Sequence, residues 1–437
     1  MAEPERTIRV EVLTRVEGEG ALHIHARGGE LQRVELRIFE PPRLFESLLR
    51  GRSIFEAADI TARICGICPV AYQMTTVHAI EAALGIVVPP EIRQLRRLLY
   101  CGEWIESHSL HIHLLHAPDF LGYESGLKMA TDHRAAVERG LRLKKHGNQL
   151  LAVLGGRAVH PVNVTVGGFF KTPSRAALQQ LIPDFEWGLA AAIEMARWVA
   201  QFDKPETEIE DDCQVCLRHP DEYPFNAGRV VSTDGLDLAV EDYEQEFVEH
   251  QEPHSTALHS VRRANRSPYL VGPLARVNLC GDQLTAPARE LKREFGWTGH
   301  VRNRYWSIVA RALEVVHAYT EALELLRGYR PLSSSRVAAP LRAAAGSAAT
   351  EAPRGLIYHR FEIDDAGCIT RATIIPPTSQ NQARIEADLA AWLPARLHWP
   401  DEQVAQHAER LIRNYDPCIS CSTHFLQVRR HPVPTGS

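Results

Sequence analysis

The sequence predicts an α+β protein that is mainly α-helical with small β portions and has a helical bundle as its core. Two observations lead to this fold class. In several long segments, apolar residues recur at three- and four-residue intervals, as they do on the buried face of a helix. Near both ends of the 437-residue chain, short segments instead alternate apolar and polar residues, as half-buried strands do.

The individual elements follow in chain order. Residues 7–39 alternate around Gly28 and Gly29, which predicts an N-terminal sheet with a hairpin turn. The pair Pro89-Pro90 begins a long helix that is buried along most of its length. Similar periodicity predicts further helices over residues 134–154, 183–201, 303–327, 380–393 and 402–414.

The remaining segments complete the predicted organisation. Residues 205–260 are acidic and are expected to be irregular, and residues 333–349 are expected to form a loop. Residues 356–363 and 369–375 predict a second hairpin. We therefore predict four segments. They are a sheet-containing lobe over 1–60, a helical core over 61–330, a hairpin and helices over 331–424 that close the metal site described below, and a C-terminal peptide over 425–437.

Charge and composition exclude several classes of function. The formal net charge of −5 is small and evenly spread, so neither a nucleic-acid groove nor an anionic membrane surface is expected as a partner. No segment approaches the roughly 18 consecutive apolar residues of a membrane span, and the charged first ten residues do not form a secretory signal. Nine cysteines, an odd number, fit metal-bound thiolates in a reducing compartment, which predicts a cytoplasmic protein.

Two Cys-x-x-Cys pairs carry the chemistry, Cys65 with Cys68 and Cys418 with Cys421. Four thiolates suit zinc, iron-sulfur clusters or nickel, and the ligands alone leave the metal open. Zinc ribbons separate their pairs by about 15–20 residues, whereas Cys68 and Cys418 lie 350 positions apart. This spacing favours an active site that brings the two chain ends together inside a large helical body.

The other cysteines and a histidine-rich segment are weaker candidates. Cys213 and Cys216 lack a second pair or a histidine cluster in the neighbouring sequence, so metal binding is not the favoured interpretation. Isolated cysteines are expected to be packing residues, and the histidines of the long helix are expected to be buried hydrogen-bonding groups. These residues are Cys101, Cys280 and Cys368, and His108, His111, His113 and His116.

The two cysteine motifs resemble the signatures of nickel-iron hydrogenase large subunits. The first is Arg63-Ile-Cys-Gly-Ile-Cys68, and the second runs from Asp416-Pro-Cys through Cys421-Ser-Thr-His424. The likeness extends over nearly the whole chain, and residues 217–224 resemble the soluble, multimeric, NAD(P)-linked branch. Further matching segments occur in the expected order at 14–18, 43–46 with 51–52, 155–161 with 167–168, 351–355 and 377–381.

The resemblance implies a nickel ion bound by all four thiolates and an iron that carries carbon monoxide and cyanide. Cys68 and Cys421 would bridge to the iron, whereas Cys65 and Cys418 would be terminal. Heterolysis of dihydrogen needs a Lewis-acidic metal beside a base, and Cys418 is the implied base. Glu17 is the implied proton relay, although such a glutamate is on its own usually a solvated or paired charge.

Further site residues follow from the same resemblance. Arg354 would lie over the metals with Asp416 holding it, although the two could also form an ordinary structural ion pair. Pro353 and Thr378 would line the pocket around the iron ligands.

A second cation site is also implied by the resemblance. Its ligands would be Glu46, the backbone carbonyl near Ile374, and His424. Carboxylate and carbonyl oxygens suit magnesium, and the imidazole leaves ferrous iron open. The site would tie the chain terminus to the early helix.

The sequence departs from the family pattern at two positions. Tyr72 occupies the place where the first signature usually has a histidine that would hydrogen-bond a bridging thiolate, which puts the tuning of that thiolate and the response to oxygen in doubt. Ser107 precedes His108 where membrane-bound relatives tend to carry aspartate, which favours the soluble branch.

The resemblance also implies partners. The chain has no further cysteine ladder for iron-sulfur clusters, so electrons would leave through an iron-sulfur small subunit and a flavin module that reduces NAD(P). A maturation protease would remove residues 425–437 after nickel insertion. Two alternatives remain at this point, an inactive scaffold related to respiratory complex I and a zinc-stabilised binding protein.

Overall fold

In the computed structural model, which describes residues 5–41, 43–207, 209 and 212–423, the chain begins with a three-stranded antiparallel sheet. Its strands are β1 (Glu5–Val10), β2 (Gly20–Arg27) and β3 (Glu30–Ile38). Gly28 and Gly29 both have positive φ angles and form the turn between β2 and β3. The predicted N-terminal sheet and its hairpin are therefore confirmed.

Helices make up most of the remaining structure. Within the described ranges they are α1 (Phe45–Leu49), α2 (Ile54–Thr61), α3 (Pro69–Leu84), α4 (Pro90–Leu110), α5 (Ala117–Leu121), α6 (Gly126–Met129), α7 (Arg134–Gly155), α8 (Arg175–Gln179), α9 (Ile182–Ala200), α10 (Tyr243–Glu246), α11 (Pro273–Cys280), α12 (Ala286–Glu294), α13 (Ser307–Gly328), α14 (Pro377–Trp392), α15 (Asp401–Arg413) and α16 (Ile419–Ser422). The predicted long helices are confirmed, with ends that shift by up to four residues. No helix of this described part is long and apolar enough to cross a membrane.

The centre of the bundle is formed by α4, α7, α9 and α13. Helices α4 and α7 approach closely because glycines face each other; a Cβ on Gly147 would lie 2.5 Å from the carbonyl oxygen of Gly102. Helix α4 continues into a turn of π-helix at His111–His116. Such a turn is often found at functional sites, and this one directs His111 towards the C-terminal cysteine segment.

Strands β4 (Val164–Thr165) and β5 (Gly168–Phe169) form a short antiparallel pair. A larger antiparallel sheet contains the predicted hairpin. Strands β12 (Gly355–Ile363) and β13 (Ile369–Ile375) confirm it, but β12 also pairs with β11 (Ala344–Ala352). The prediction of a loop was therefore wrong for residues 344–349. This segment is a run of small residues without alternation, and its extended conformation is set by contact with β12 and α3. A Cβ on Gly346 would lie 2.4 Å from the backbone nitrogen of Ala83.

Residues 205–260 were expected to be irregular, and this was also wrong in large part. The segment contains β6 (Val215–Arg218), β7 (Arg229–Ser232) and β8 (Asp237–Leu238) in one sheet, and β9 (Phe247–Gln251), which pairs with β10 (Leu258–Arg262). The strands are short and lie among acidic residues, so the sequence shows no clear alternation of apolar and polar residues. Their apolar side chains form a small second core with residues of β11–β13. The proposed division into four segments stays a prediction.

The close packing of β11 on α3 leads to a stability prediction. Replacing Gly346 by alanine is expected to lower the free energy of unfolding by about 1–3 kcal/mol, because the added methyl group meets backbone atoms of Ala79 and Ala83 in α3 and so forces the helix and the sheet apart. Thermal unfolding of the variant and the wild type measures the change.

Gly328→Ala is the matched control. Gly328 ends α13 with open space around its Cα, so its replacement should change stability by less than about 0.5 kcal/mol. Equal unfolding midpoints for Gly346→Ala and Gly328→Ala would contradict the packing account.

Candidate metal centre

Four buried thiols from opposite ends of the chain meet at one place. Cys65 follows a short turn after α2, and Cys68 immediately precedes α3, whose first residue is a proline. Cys418 precedes α16, and Cys421 lies within it. The Cys65 Sγ atom is 2.8 Å from that of Cys68 and 3.6 Å from that of Cys418. The thiols of Cys65, Cys418 and Cys421 all lie within 4.8 Å of one another.

The pKa values of the four thiols are shifted in opposite directions. Burial would raise the pKa of Cys65, but hydrogen bonds from the other three thiols and the charge of Arg354 hold that pKa well below its usual value. Burial raises the pKa values of the other three cysteines, Cys68, Cys418 and Cys421, well above normal. Four thiolates in this space therefore need a cation, and this donor set fits a soft metal.

A backbone bridge brings the C-terminal cysteine segment to the N-terminal lobe. The Glu17 N–H donates to the Pro417 carbonyl at 3.3 Å, and the Ile419 N–H donates to the Glu17 carbonyl at 2.9 Å. Gly18 has φ of 85°, and a Cβ there would lie 2.8 Å from that of Ile419. A larger residue at position 18 would therefore separate the two chain ends.

The same bridge places the Glu17 side chain against a thiol. The Cys418 thiol donates to Glu17 Oε2 at 3.0 Å. The Ser420 N–H also donates to Oε2, at 3.1 Å, while the Ser420 hydroxyl donates to Oε1 at 2.6 Å. Glu17 is half-buried in this chain. One carboxylate oxygen thus faces the thiol, and the other faces away from it.

Arg354 and Asp416 form a buried pair beside the thiols. Arg354 Nε donates to the Asp416 carbonyl at 2.7 Å, and Nη2 donates to Asp416 Oδ1 at 3.1 Å. Burial raises the pKa of Asp416, which Arg354 and Arg311 counteract. Arg354 Nη1 is buried and has no hydrogen-bond partner among residues 5–423 as described. A buried cationic donor without an acceptor is costly, so this atom fits a site completed by a bound group with acceptor atoms.

A second arginine holds the segment that carries Arg354. Arg276 is fully buried in α11 and donates to the carbonyls of Ala352 at 2.9 Å and Pro353 at 3.0 Å. It also pairs with Glu314 and Glu351. Sequence reasoning missed Arg276, because a single arginine in a helix is usually exposed. A possible signal was its position among the apolar residues of α11.

Glu103 was also missed. This fully buried side chain of α4 accepts hydrogen bonds from the backbone N–H groups of Val70 at 2.6 Å and Ala71 at 3.2 Å, at the start of α3. Burial raises its pKa well above normal despite these bonds. Glu103 therefore fixes the first turn of α3 directly after Cys68. Its acidic side chain within the apolar pattern of α4 was the sequence signal that could have identified it.

Two predicted pocket residues contact this region. The Thr378 hydroxyl, at the start of α14, accepts a hydrogen bond from the Cys418 N–H at 3.0 Å. The Pro353 carbonyl accepts a hydrogen bond from Arg276. Their roles around iron ligands stay predictions.

Tyr72 lies in α3 one turn after Cys68 and is fully buried. Its hydroxyl has no hydrogen-bond partner in the described part of the chain. Burial, and then the charges of the four cysteines, raise its pKa well above normal. The ring of His359 on β12 lies 5.9 Å from the Tyr72 ring, so a different segment supplies an imidazole near this position.

The residues of the expected second cation site are partly described. Glu46 Oε1 accepts a hydrogen bond from the Ile374 N–H at 2.7 Å, and burial raises the pKa of Glu46 to about 7. Glu249 is a second, half-buried carboxylate whose charge repels Glu46, and its buried Oε1 atom lacks a partner within the described ranges. Two half-buried carboxylates close enough to repel each other fit a hard cation. His424 lies outside the described residues.

The histidines of α4 and the following π-turn are mostly hydrogen-bonded, as expected. His108 pairs with Glu314, and His111 and His113 contact backbone carbonyls at 3.0 Å. The expectation is wrong for His116, whose two ring nitrogens have no partner in the described structure and whose ring packs against aromatic neighbours.

The remaining cysteines form no metal-binding group within the described ranges. Cys216 contacts Cys280, with the two sulfur atoms 3.8 Å apart, and Cys213 contacts Arg262. Packing is therefore the role that the structure indicates for them.

Comparison with known proteins supports the metal centre. A family model described as nickel-dependent hydrogenase matches residues 43–140 and 282–424. The alpha subunit of sulfhydrogenase 1 from Pyrococcus furiosus is 33% identical over 96% of this chain and 98% of its own length. The beta subunit of the NAD-reducing hydrogenase HoxS from Cupriavidus necator is 26% identical over 96% of this chain and 95% of its own length.

Solved structures show the same fold. An NAD⁺-reducing [NiFe]-hydrogenase in the H₂-reduced state has a TM-score of 0.84 and 26% identity, covering 96% of this chain and 99% of the other. A [NiFeSe]-hydrogenase from Dm. baculatum, at 23% identity and a TM-score of 0.79, shares the fold. The predicted α+β class with a helical core is confirmed. The chain therefore belongs to the nickel-dependent hydrogenase family, as a large subunit of an oxidoreductase that acts on dihydrogen.

Proposed function

We propose that this subunit cleaves and forms dihydrogen heterolytically at a nickel-iron centre held by Cys65, Cys68, Cys418 and Cys421. The observation that carries the proposal is the meeting of these four buried thiols beside a buried guanidinium donor that has no acceptor among the described residues. A bound nickel-iron pair supplies the Lewis acid that polarises dihydrogen. We further propose that all four thiolates would hold the nickel and that those of Cys68 and Cys421 would also hold the iron.

Cys418 and Glu17 form the proposed route for the proton. The contact of 3.0 Å between the Cys418 thiol and Glu17 Oε2 is short enough for direct proton transfer. Glu17 Oε1 faces the Ser420 hydroxyl on the other side. The carboxyl group thus has separate contacts for receiving a proton from the thiol and for passing it outwards.

Arg354 supplies a fixed positive charge next to the thiols, and Asp416 and Arg276 determine its position. Its Nη1 would donate to the carbon monoxide and cyanide ligands of iron or to a substrate-derived group, and Pro353 and Thr378 would line that pocket. A lone zinc in the four thiolates supplies no such acceptor and leaves the Cys418–Glu17 contact without a role. The cysteine-free scaffold is disfavoured because all four thiols are present.

At the second site, we propose a magnesium or ferrous ion held by Glu46, the carbonyl of Ile374 and His424. The half-buried carboxylates of Glu46 and Glu249, whose pKa values are both raised, support a hard cation there. Since Glu46 is on α1 and Ile374 on β13, the ion would join the early helices to the C-terminal part of the chain.

The proposed electron acceptor is an iron-sulfur small subunit followed by a flavin module that uses NAD(P). Support comes from similarity to two proteins whose names state NAD reduction, each 26% identical to this chain. We also propose that the protein is cytoplasmic and that a maturation protease removes residues 425–437.

Replacing Glu17 by glutamine tests the reaction and the proton route together. The amide retains the shape but cannot release a proton, so exchange between deuterium gas and water should fall by about 10²–10⁴-fold while nickel and iron contents remain unchanged. Mass spectrometry of the gas phase over the assembled enzyme measures the exchange.

Glu11→Gln, on the same lobe but with 71% of its side chain exposed, is the matched control and should exchange like the wild type. Full exchange activity in the Glu17→Gln variant would remove Glu17 from the route. Absence of exchange in both the wild type and the control would count against the hydrogenase reaction itself.

The C-terminal peptide leads to a second prediction. We expect active, nickel-loaded protein to end at His424. If this residue binds the proposed second cation inside the protein, a chain continuing from it would have to leave the core through packed structure. Intact-mass measurement on nickel-loaded and nickel-poor fractions tests this. Active protein that still carries Ser437 would show that processing is not required.

A further inference from the structure

A surface groove outside the four-cysteine cluster is lined by a second group of side chains of metal-ligand type. Strands β3, β9 and β10, the loop between β9 and β10, and helix α14 surround this groove, which encloses about 600 Å³. We call it the histidine groove. Its candidate ligands are His250, Glu252, His254, His259 and Glu386.

The antiparallel pairing of β9 and β10 creates the first part of this arrangement. His250 and His259 are directly opposite each other in the register, so their side chains project to the same face. Their ring centres are 5.9 Å apart, and the ring of His254, from the connecting loop, is 5.8 Å from that of His259. Two sets of three ligand atoms, one with His254 and Glu386 and one with His250 and Glu252, each lie within 4.8 Å and share His259.

Glu386 is held in a fixed orientation towards the histidines. Its Oε1 accepts a hydrogen bond from the Leu36 N–H at 2.7 Å and lies 2.8 Å from His254 Nε2. Its Oε2 lies 4.0 Å from His259 Nδ1. A single carboxylate thus faces two imidazoles, and its second oxygen is still available.

His259 is the least exposed member, with only 2% of its surface accessible. Its Nε2 makes no hydrogen bond of normal geometry to the described residues, although the Gln382 side chain lies beside it. Burial, and then the charges of His254 and His250, lower its pKa to about 3.

We propose that the histidine groove binds one divalent transition-metal ion of the zinc type through His254, His259 and Glu386. Two imidazoles and a carboxylate are a common protein ligand set for zinc. His250 and Glu252, which line the groove, form the second set of ligand atoms with His259. The ligands come from β10, the β9–β10 loop and α14, so no local sequence motif reveals the site.

The bound ion stabilises the β9–β10 loop against the N-terminal sheet. Thr256 of this loop already donates its N–H to the Ile38 carbonyl at 2.7 Å and its hydroxyl to the Glu40 carbonyl at 2.8 Å. His254 precedes Thr256 by two residues. A metal ion bound to both His254 and Glu386 fixes this side of the loop to α14. The site is structural and separate from the nickel-iron centre.

Zinc-edge X-ray absorption on the assembled enzyme, loaded with zinc chloride and desalted, tests the proposal without interference from nickel or iron. We expect one zinc per chain with only nitrogen and oxygen ligands, including at least two imidazoles. Competition with a chromophoric chelator should show at least about tenfold weaker binding for His254→Ala. His254 is half-buried in a loop, so this variant is expected to fold.

His398→Ala, which removes an exposed histidine outside the groove, is the control and should bind zinc like the wild type. A second comparison is the double variant His23→Ala and His25→Ala, which removes the other surface histidine cluster. The proposal would be overturned if the wild type did not retain one zinc per chain, or if the zinc had sulfur ligands. It would also be overturned if His254→Ala bound zinc as tightly as the wild type, or if only the double variant lost binding.

Discussion

The whole site depends on the backbone bridge between Glu17 and the segment Pro417–Ile419. These two hydrogen bonds join the N-terminal sheet to the last helical turn that the structure describes. They place Cys418 beside the Glu17 carboxylate and bring the second cysteine pair to the first. Gly18 makes this approach possible, because any side chain there would meet Ile419 and Ser420. The large helical body serves to hold these two distant segments in one place.

A second constraint is the burial of charge around the thiols. Arg276, Glu314, Glu351 and Arg354 are all nearly inaccessible to water, and each makes short hydrogen bonds to an opposite charge or a carbonyl. Removing one partner of such a pair typically costs about 3–5 kcal/mol, because the other charge is left buried and unpaired. The network therefore fixes the position of Arg354 and leaves its buried Nη1 without an acceptor among the described residues.

The sequence predicted most of the helices and the cysteine pairs, because periodicity and motif spacing are local signals. Glu17, Arg354 and Asp416 came from the resemblance to a family. Contacts between distant segments could not be predicted: β11 has no alternation and is extended because it packs on α3, and Arg276 and Glu103 look like ordinary helix residues. The ligands of the histidine groove are separated for the same reason, since His259 and Glu386 meet only in the folded chain.

The central claim is that the four thiols hold a nickel-iron pair whose iron carries carbon monoxide and cyanide. An infrared spectrum of the purified, active enzyme tests it most directly, since these ligands absorb where protein does not. The account predicts carbonyl and cyanide bands together with nickel and iron in equal amounts at this site. One equivalent of zinc in the four thiolates, without those bands, would contradict it.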